Sequence, residues 1–259
     1  MSQVNLKAVD IHCHLTFKDY DEDREKVIED AKKTLRLVIT SGTEPEDSKK
    51  ALSLAEKHQG FIYVTLGLHP IHIPELTDRQ IEEYMRFVRL NRDRIVGIGE
   101  VGLDYHWIKE PKKISRMREV FIGFIGLAKE LDLPLVLHLR QALDEGFKLM
   151  VQHDVKKAVF HCFSGKKSLA EKIVEHGYYV SVAPNIFRSK DVKKAVKAIP
   201  LEKILTETDS PFLAVEGGRN LPQNVRLVVE KIAETKKVNP LEVEEAVLKN
   251  VGRVFGIKV

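Results

Sequence analysis

Apolar and charged stretches alternate along nearly the whole chain. Short runs rich in Val, Ile and Leu, such as 35–40 and 134–139, indicate buried strands. Between them lie longer segments whose apolar residues recur every three or four positions, as at Val27, Ile28 and Ala31, and this spacing predicts helices. The predicted strands are 9–15, 35–42, 61–70, 95–104, 134–140, 157–165, 178–183 and 204–211. The predicted helices are 19–33, 48–58, 78–91, 114–131, 142–151, 168–176, 190–197, 222–236 and 240–255.

The order of these elements indicates the fold. Strictly alternating strands and helices favour parallel strands joined by right-handed crossovers. Eight strand–helix units in 259 residues fit a (β/α)8 TIM barrel, with some distortion, better than a doubly wound open sheet. Because the sequence contains no linker, low-complexity tract or block of like charge, we expect one domain over residues 1–259.

Composition narrows the possible classes of protein. Since no apolar run approaches the roughly 20 residues of a membrane helix and no targeting segment is evident, we expect a cytoplasmic protein. The net charge of +4 at pH 7 permits nucleic-acid binding but does not indicate it. Cys13 and Cys162 each follow a histidine, and we expect both to be packed, unpaired side chains.

Candidate chemistry lies near the ends of the predicted strands. His12 and His14 stand two residues apart in the first strand, so their side chains point to the same face. In a parallel barrel the carboxyl ends of all strands open on one face, which carries the active site. Six potential ligands are therefore expected to meet at one rim: His12, His14, Glu100, His138, His161 and Asp209.

The conjunction of these six residues predicts a metal centre. Taken alone, Glu100 could be a turn carboxylate and Asp209 a cap, but four imidazoles and two carboxylates buried without a cation would be costly. The set exceeds the needs of one four-coordinate zinc and suits two divalent ions about 3.5–4 Å apart. Glu100 is the expected bridge, and Asp209 the expected ligand and general base. The donor types leave zinc, manganese, magnesium and iron open.

Six sequence motifs resemble the TatD family of metal-dependent deoxyribonucleases. The resemblance spans essentially the whole chain, and the motifs occur in the family's order. They are Asp10-Ile11-His12-Cys13-His14-Leu15, Leu68-His69-Pro70, Gly99-Glu100-Val101-Gly102-Leu103-Asp104-Tyr105, Leu137-His138 with Arg140, His161-Cys162-Phe163-Ser164-Gly165, and Glu207-Thr208-Asp209-Ser210-Pro211.

The resemblance implies an amidohydrolase-like TIM barrel, a binuclear metal centre and hydrolysis of DNA phosphodiester bonds, often as a 3′→5′ exonuclease. DNA, single-stranded or at an end, would be the substrate, and no obligate protein partner is implied. By motif, one ion would be held by His12, His14 and Asp209, and the other by His138 and His161, with Glu100 between them. His69 and Arg140 would lie beside the substrate phosphate, and Tyr105 would line the pocket.

Four positions depart from the family's usual pattern. Gln141 stands where an aspartate usually follows the arginine, Leu221 where a glutamate is usual, and Met117 and Phe124 where glutamines are usual. Because the ligand set is complete, these changes bear on substrate choice. A metal-dependent hydrolase of a small amide, lactone or phosphoester is therefore the alternative. A non-catalytic, metal-bound binding module is a third possibility, but Asp209 argues against it because binding needs no base.

Overall fold

Every apolar stretch predicted to be a strand contains one in the computed structural model, which describes residues 7–258. The seven ladders between consecutive strands are all parallel, and the strands follow chain order around the sheet. The predicted TIM-barrel fold is confirmed. The strands are β1 (Ala8–Cys13), β2 (Leu35–Gly42), β3 (Ile62–Leu66), β4 (Gly97–Asp104), β5 (Leu135–Arg140), β6 (Ala158–Phe160), β7 (Tyr179–Val182) and β8 (Ile204–Thr206).

The first and last strands bring the sheet nearly to closure. Cys13 and Ser210 form a parallel bridge just beyond the end of β8. The backbone N–H of His14 donates to the carbonyl of Ser210 at 2.8 Å, and that of Asp209 donates to the carbonyl of His12 at 3.0 Å. The end of β1 and the segment after β8, which both carry candidate ligands, are therefore fixed to each other by backbone hydrogen bonds.

Helices follow each strand, and two of them begin at a capping box. Thr77 and Gln80 form a capping box at the start of one helix, and Asn239 and Glu242 form another. Within residues 7–258, no helix is long and apolar enough to cross a lipid bilayer. The helices are α1 (Arg24–Thr34), α2 (Pro45–Lys57), α3 (Asp78–Leu90), α4 (Pro111–Leu131), α5 (Leu143–Gln152), α6 (Lys167–Glu175), α7 (Lys190–Ala198), α8 (Val225–Lys236) and α9 (Pro240–Phe255).

Several strands end earlier than their apolar patterns predict: β1 ends two residues early and β3 four, and the largest differences are at β6 and β8. β6 ends at Phe160 and β8 at Thr206, whereas the sequence predicts strands to 165 and 211. Beyond these ends the backbone leaves the extended conformation, with φ +44° at Cys162 and +55° at Asp209. A positive φ turns the chain out of the sheet. The residues that follow β6 and β8 therefore form turns above the barrel.

Candidate metal centre

His12 and His14 converge from the end of β1. Both side chains are buried, and their Nε2 atoms lie 3.3 Å apart. Cys13 between them points to the opposite side, where its thiol donates to the carbonyl of Ile39 at 3.6 Å. The predicted shared face of the two histidines is thus observed, and their ring nitrogens meet at one point above the barrel.

Glu100 from β4 is the centre of the histidine cluster. Its Oε2 lies 3.5 Å from Nε2 of His12 and 3.7 Å from Nε2 of His14. Its Oε1 lies 2.6 Å from Nδ1 of His138 and 3.3 Å from Nε2 of His161. The two carboxylate oxygens therefore face two separate pairs of histidines, which is the arrangement expected of a bridging ligand.

Asp209 approaches the β1 side of the cluster from the turn after β8. Its Oδ1 lies 3.4 Å from Nε2 of His14 and 3.7 Å from Nε2 of His12. The Asp209 side chain is 17% exposed, against 3% for Glu100. Asp209 is therefore the carboxylate of the cluster that solvent reaches more easily.

Two further acids support the histidines on the other side. Oδ2 of Asp104 lies 3.0 Å from Nε2 of His138, and Glu207 Oε1 lies 3.0 Å from Nδ1 of His161. Glu207 also accepts the backbone N–H of Cys162 at 2.8 Å and the hydroxyl of Ser181 at 2.6 Å. Sequence reasoning did not single out either acid, although both lie inside the quoted motifs. Carboxylates that orient a ligand histidine in this way are common around metal sites.

Burial and the carboxylates set the protonation of the cluster. Burial lowers the pKa of His12 and brings that of His69 to about 3, so both rings are neutral. Burial alone would also lower the pKa of His138, but Asp104 and Glu100 raise it to about 8. Burial would raise the pKa of Glu100, yet the surrounding histidines hold it well below its usual range. Glu100 is therefore an anion among imidazoles.

The donor set fits divalent cations. Among residues 7–258, three groups have ligand atoms mutually within 4.8 Å. Nε2 of His12 and Nε2 of His14 lie 3.3 Å apart and both face oxygens of Glu100 and Asp209, so donor atoms that a cation would bind are directed at one point. The groups are His12 with His14 and Asp209, His12 with Glu100 and His161, and His69 with Glu100 and His138. All six residues predicted as ligands are thus brought together.

The residues predicted to bind substrate lie around this cluster. Nε2 of His69 is 3.3 Å from Nδ1 of His138, inside the cluster itself. Arg140 is exposed at the end of β5, with its guanidinium 5.6 Å from the ring centre of Trp107. The hydroxyl of Tyr105 donates to Oε2 of Glu145 at 2.7 Å, so it is already committed to α5.

Met117 and Phe124, two residues that depart from the family pattern, both contact the interior of the barrel domain. The thioether of Met117 accepts the backbone N–H of Asp104 at 3.4 Å, beneath the residue that supports His138. Phe124 is buried, with its ring centre 6.3 Å from that of Tyr84. A thioether that accepts a hydrogen bond and a buried aromatic ring thus occupy the two positions where polar amides are usual in the family.

Comparison with known proteins agrees with this centre. The family model described as "TatD related DNase" matches residues 9–256. The chain belongs to the TatD family. It is 37% identical to an uncharacterised metal-dependent hydrolase, MJ1582 of Methanocaldococcus jannaschii, over 97% of this chain and 98% of that protein. It is 34% identical to human deoxyribonuclease TATDN3, over 98% of this chain and 97% of that protein.

A solved structure of a TatD homologue has the same fold as this chain. The crystal structure of YjjV, a TatD homologue from Escherichia coli, superposes with a TM-score of 0.91. The two sequences are 28% identical, and the match covers 98% of this chain and 100% of YjjV. With the family model and the named relatives, the match identifies this TatD-family member as a metal-dependent hydrolase.

Proposed function

We propose that this TatD-family hydrolase cleaves phosphodiester bonds of DNA at a pair of divalent ions. The observation that supports the pair is the division of histidines around Glu100, whose two oxygens face His12 and His14 on one side and His138 and His161 on the other. DNA as substrate is supported by the deoxyribonuclease name of the human relative at 34% identity.

The chain's own residues divide the work of hydrolysis. His12, His14 and Asp209 would hold one ion, His138 and His161 the other, and Glu100 both. When bound, such ions acidify water and withdraw electron density from a phosphoryl oxygen. Asp209 would accept the proton of the attacking water, because solvent reaches its side chain more easily than that of Glu100.

Substrate contacts follow from the residues around the rim. The exposed guanidinium of Arg140 offers paired donors to a phosphate. His69, neutral and half-buried beside His138, adds a hydrogen-bond donor close to the cluster. Tyr105 contributes to the wall of the pocket. We propose exonuclease action on single-stranded DNA or DNA ends, because an opening at the top of a barrel admits an end more readily than the middle of a duplex. The proposed 3′→5′ direction is the one that the resemblance to the TatD family implies.

The test is metal-dependent degradation of end-labelled DNA. Metal-free protein should regain cleavage of a single strand with manganese, magnesium or zinc, and the product ladder gives the direction of digestion. His12→Ala should abolish cleavage through loss of metal, whereas Asp209→Asn should remain folded with little turnover. Asp93→Asn, at an exposed acid after α3, is the charge-matched control and should cleave normally.

The role of Arg140 has its own control. Arg140→Ala should reduce DNA cleavage while leaving metal content unchanged, and Arg86→Ala, at an exposed arginine of α3, should do neither. If Arg140→Ala lost metal and cleavage to the same extent, Arg140 would be needed to maintain the metal centre, and its proposed role in binding phosphate would be wrong. If wild type binds metal but cleaves no DNA with any divalent ion, hydrolysis of a small amide, lactone or phosphoester becomes the better proposal.

A further inference from the structure

Two large aromatic side chains stand exposed beside the metal centre. Trp107, just after β4, is 64% exposed, and Phe212, just after β8, is 49% exposed. Exposed aromatic faces next to a binding site commonly serve recognition. We propose that these two rings stack nucleobases of a single DNA strand on either side of the centre. This inference rests on the proposed deoxyribonuclease function and names how that substrate is held.

Trp107 is tied to the centre through a shared carboxylate. Oδ1 of Asp104 accepts the backbone N–H of Trp107 at 2.9 Å, and Oδ2 of the same residue contacts Nε2 of His138 at 3.0 Å. The Arg140 guanidinium lies 5.6 Å from the centre of the indole ring. The backbone of Trp107 is thus held by the carboxylate that contacts a candidate metal ligand, and its ring lies beside a candidate phosphate contact.

Phe212 is tied to the opposite side of the cluster. Its backbone N–H donates to the carbonyl of Asp209 at 2.9 Å. Its ring centre lies 6.0 Å from that of Phe17, edge to face, and 6.0 Å from that of His14. Phe17 stacks on the His14 imidazole at 4.5 Å. An apolar edge therefore begins at a candidate ligand and ends at the exposed ring of Phe212.

The strands that precede these two aromatic residues lie across the barrel from each other. Because the strands run in order from β1 to β8 around the barrel, β4 and β5 lie opposite β8 and β1. A single DNA strand with a phosphate at the cluster would therefore meet Trp107 on one side and Phe212 on the other.

A single DNA strand is the occupant that matches these features. Bases of a single strand are free to stack on aromatic rings, with a contribution that depends little on sequence. In a duplex those faces are already covered by neighbouring bases. Arg140 beside Trp107 supplies the positive charge that a backbone phosphate requires. An apolar protein segment would satisfy the rings but would leave that charge unused.

Tryptophan fluorescence tests the stacking directly, because Trp107 is the single tryptophan of the chain. Metal-loaded protein should be titrated with phosphorothioate-linked oligothymidylate, which resists cleavage. A stacked base should quench the fluorescence. An abasic strand with the same number of phosphates should leave it largely unchanged.

Substitutions at both rings give a second, independent measurement. Trp107→Ala and Phe212→Ala should each raise KM for oligothymidylate roughly 5- to 100-fold, with a smaller effect on kcat. Trp107→Phe, which keeps an aromatic face, should recover most of the loss. The loss should shrink on an abasic strand, whereas a folding defect would reduce cleavage of both strands equally. Leu241→Ala, at an exposed apolar residue of α9, is the control.

The outcomes separate this inference from the proposed function. Cleavage of DNA by wild type, with equal quenching by thymidylate and abasic strands or no rise of KM in Trp107→Ala, would overturn the stacking and leave the nuclease proposal standing. Base-dependent quenching without cleavage by any divalent ion would support the stacking and overturn the nuclease. Absence of both would overturn both.

Discussion

Oδ2 of Asp104 lies 3.0 Å from Nε2 of His138, so a buried carboxylate fixes the ring of a candidate metal ligand. The remaining ring nitrogen, Nδ1, is thereby directed at Glu100, 2.6 Å away. In known metal sites, a histidine held in this way is oriented and made more basic by its carboxylate partner. The orientation of His138 thus depends on a residue outside the predicted ligand set.

Asp104→Asn should weaken metal binding at the His138 side of the centre. The amide keeps an oxygen for the backbone N–H groups that Asp104 accepts, but it removes the negative charge opposite Nε2 of His138. Loss of such a supporting carboxylate typically costs about 10- to 100-fold in metal affinity. Titration of metal-free protein with manganese or zinc measures it. Asp93→Asn is the control, and unchanged affinity in Asp104→Asn would refute the supporting role.

Glu207→Gln should destabilise the folded protein without metal. Glu207 is fully buried and accepts hydrogen bonds from Cys162 N–H and the Ser181 hydroxyl, and its Oε1 lies 3.0 Å from Nδ1 of His161. A glutamine can keep hydrogen bonds to Cys162 and Ser181, because a hydroxyl can also accept, but it removes the negative charge that strengthens these contacts. The loss should lower the free energy of unfolding by about 1–3 kcal/mol. Urea denaturation in the presence of a chelator measures this change in the free energy of unfolding without any contribution from bound metal. Glu216→Gln, at an exposed acid, should leave the midpoint where it is.

Metal affinity should rise with pH up to about 8. Burial opposes protonation of His138, but Asp104 and Glu100 raise its pKa to about 8, so the ring carries a proton in neutral solution without metal. A metal ion must displace that proton, because only a neutral ring nitrogen binds it. Lowering the pH from about 8 to 6 should therefore weaken binding. Calorimetry at pH 7 in buffers of different ionisation enthalpy should detect proton release, which fades above pH 8; pH-independent affinity would refute this.

Gly102→Ala should disrupt the centre through the backbone. Gly102 has φ +150° and pairs with His138 across the β4–β5 ladder, where an added Cβ would overlap the His138 carbonyl oxygen. The strands would have to separate, at a cost of about 3 kcal/mol or more. Gly126→Ala is the matched control, because its Cβ in α4 meets nothing within 4 Å and should add about 0.5–1 kcal/mol of stability. Thermal unfolding and metal content should be measured for both variants. Gly102→Ala should unfold at a lower temperature and bind less metal, and Gly126→Ala should do neither.

The sequence alone was sufficient to predict the barrel and the convergence of its candidate ligand residues. Runs of Val, Ile and Leu alternate with amphipathic segments, and at this chain length that pattern fits a (β/α)8 barrel. In such a barrel the carboxyl ends of all strands open on the same face. For that reason a position late in a strand was enough to bring His12, Glu100 and His138 to one rim, although they are far apart in the chain.

Tertiary structure alone decided what surrounds that rim. The turns after β6 and β8 contain positive φ values at Cys162 and Asp209, and these depend on packing that no apolar pattern records. Likewise, a strand pattern gives the face of a side chain but not its partner. Asp104 and Glu207 as supports of His138 and His161, and the commitment of the Tyr105 hydroxyl to Glu145, therefore emerged only from side-chain directions in the folded barrel.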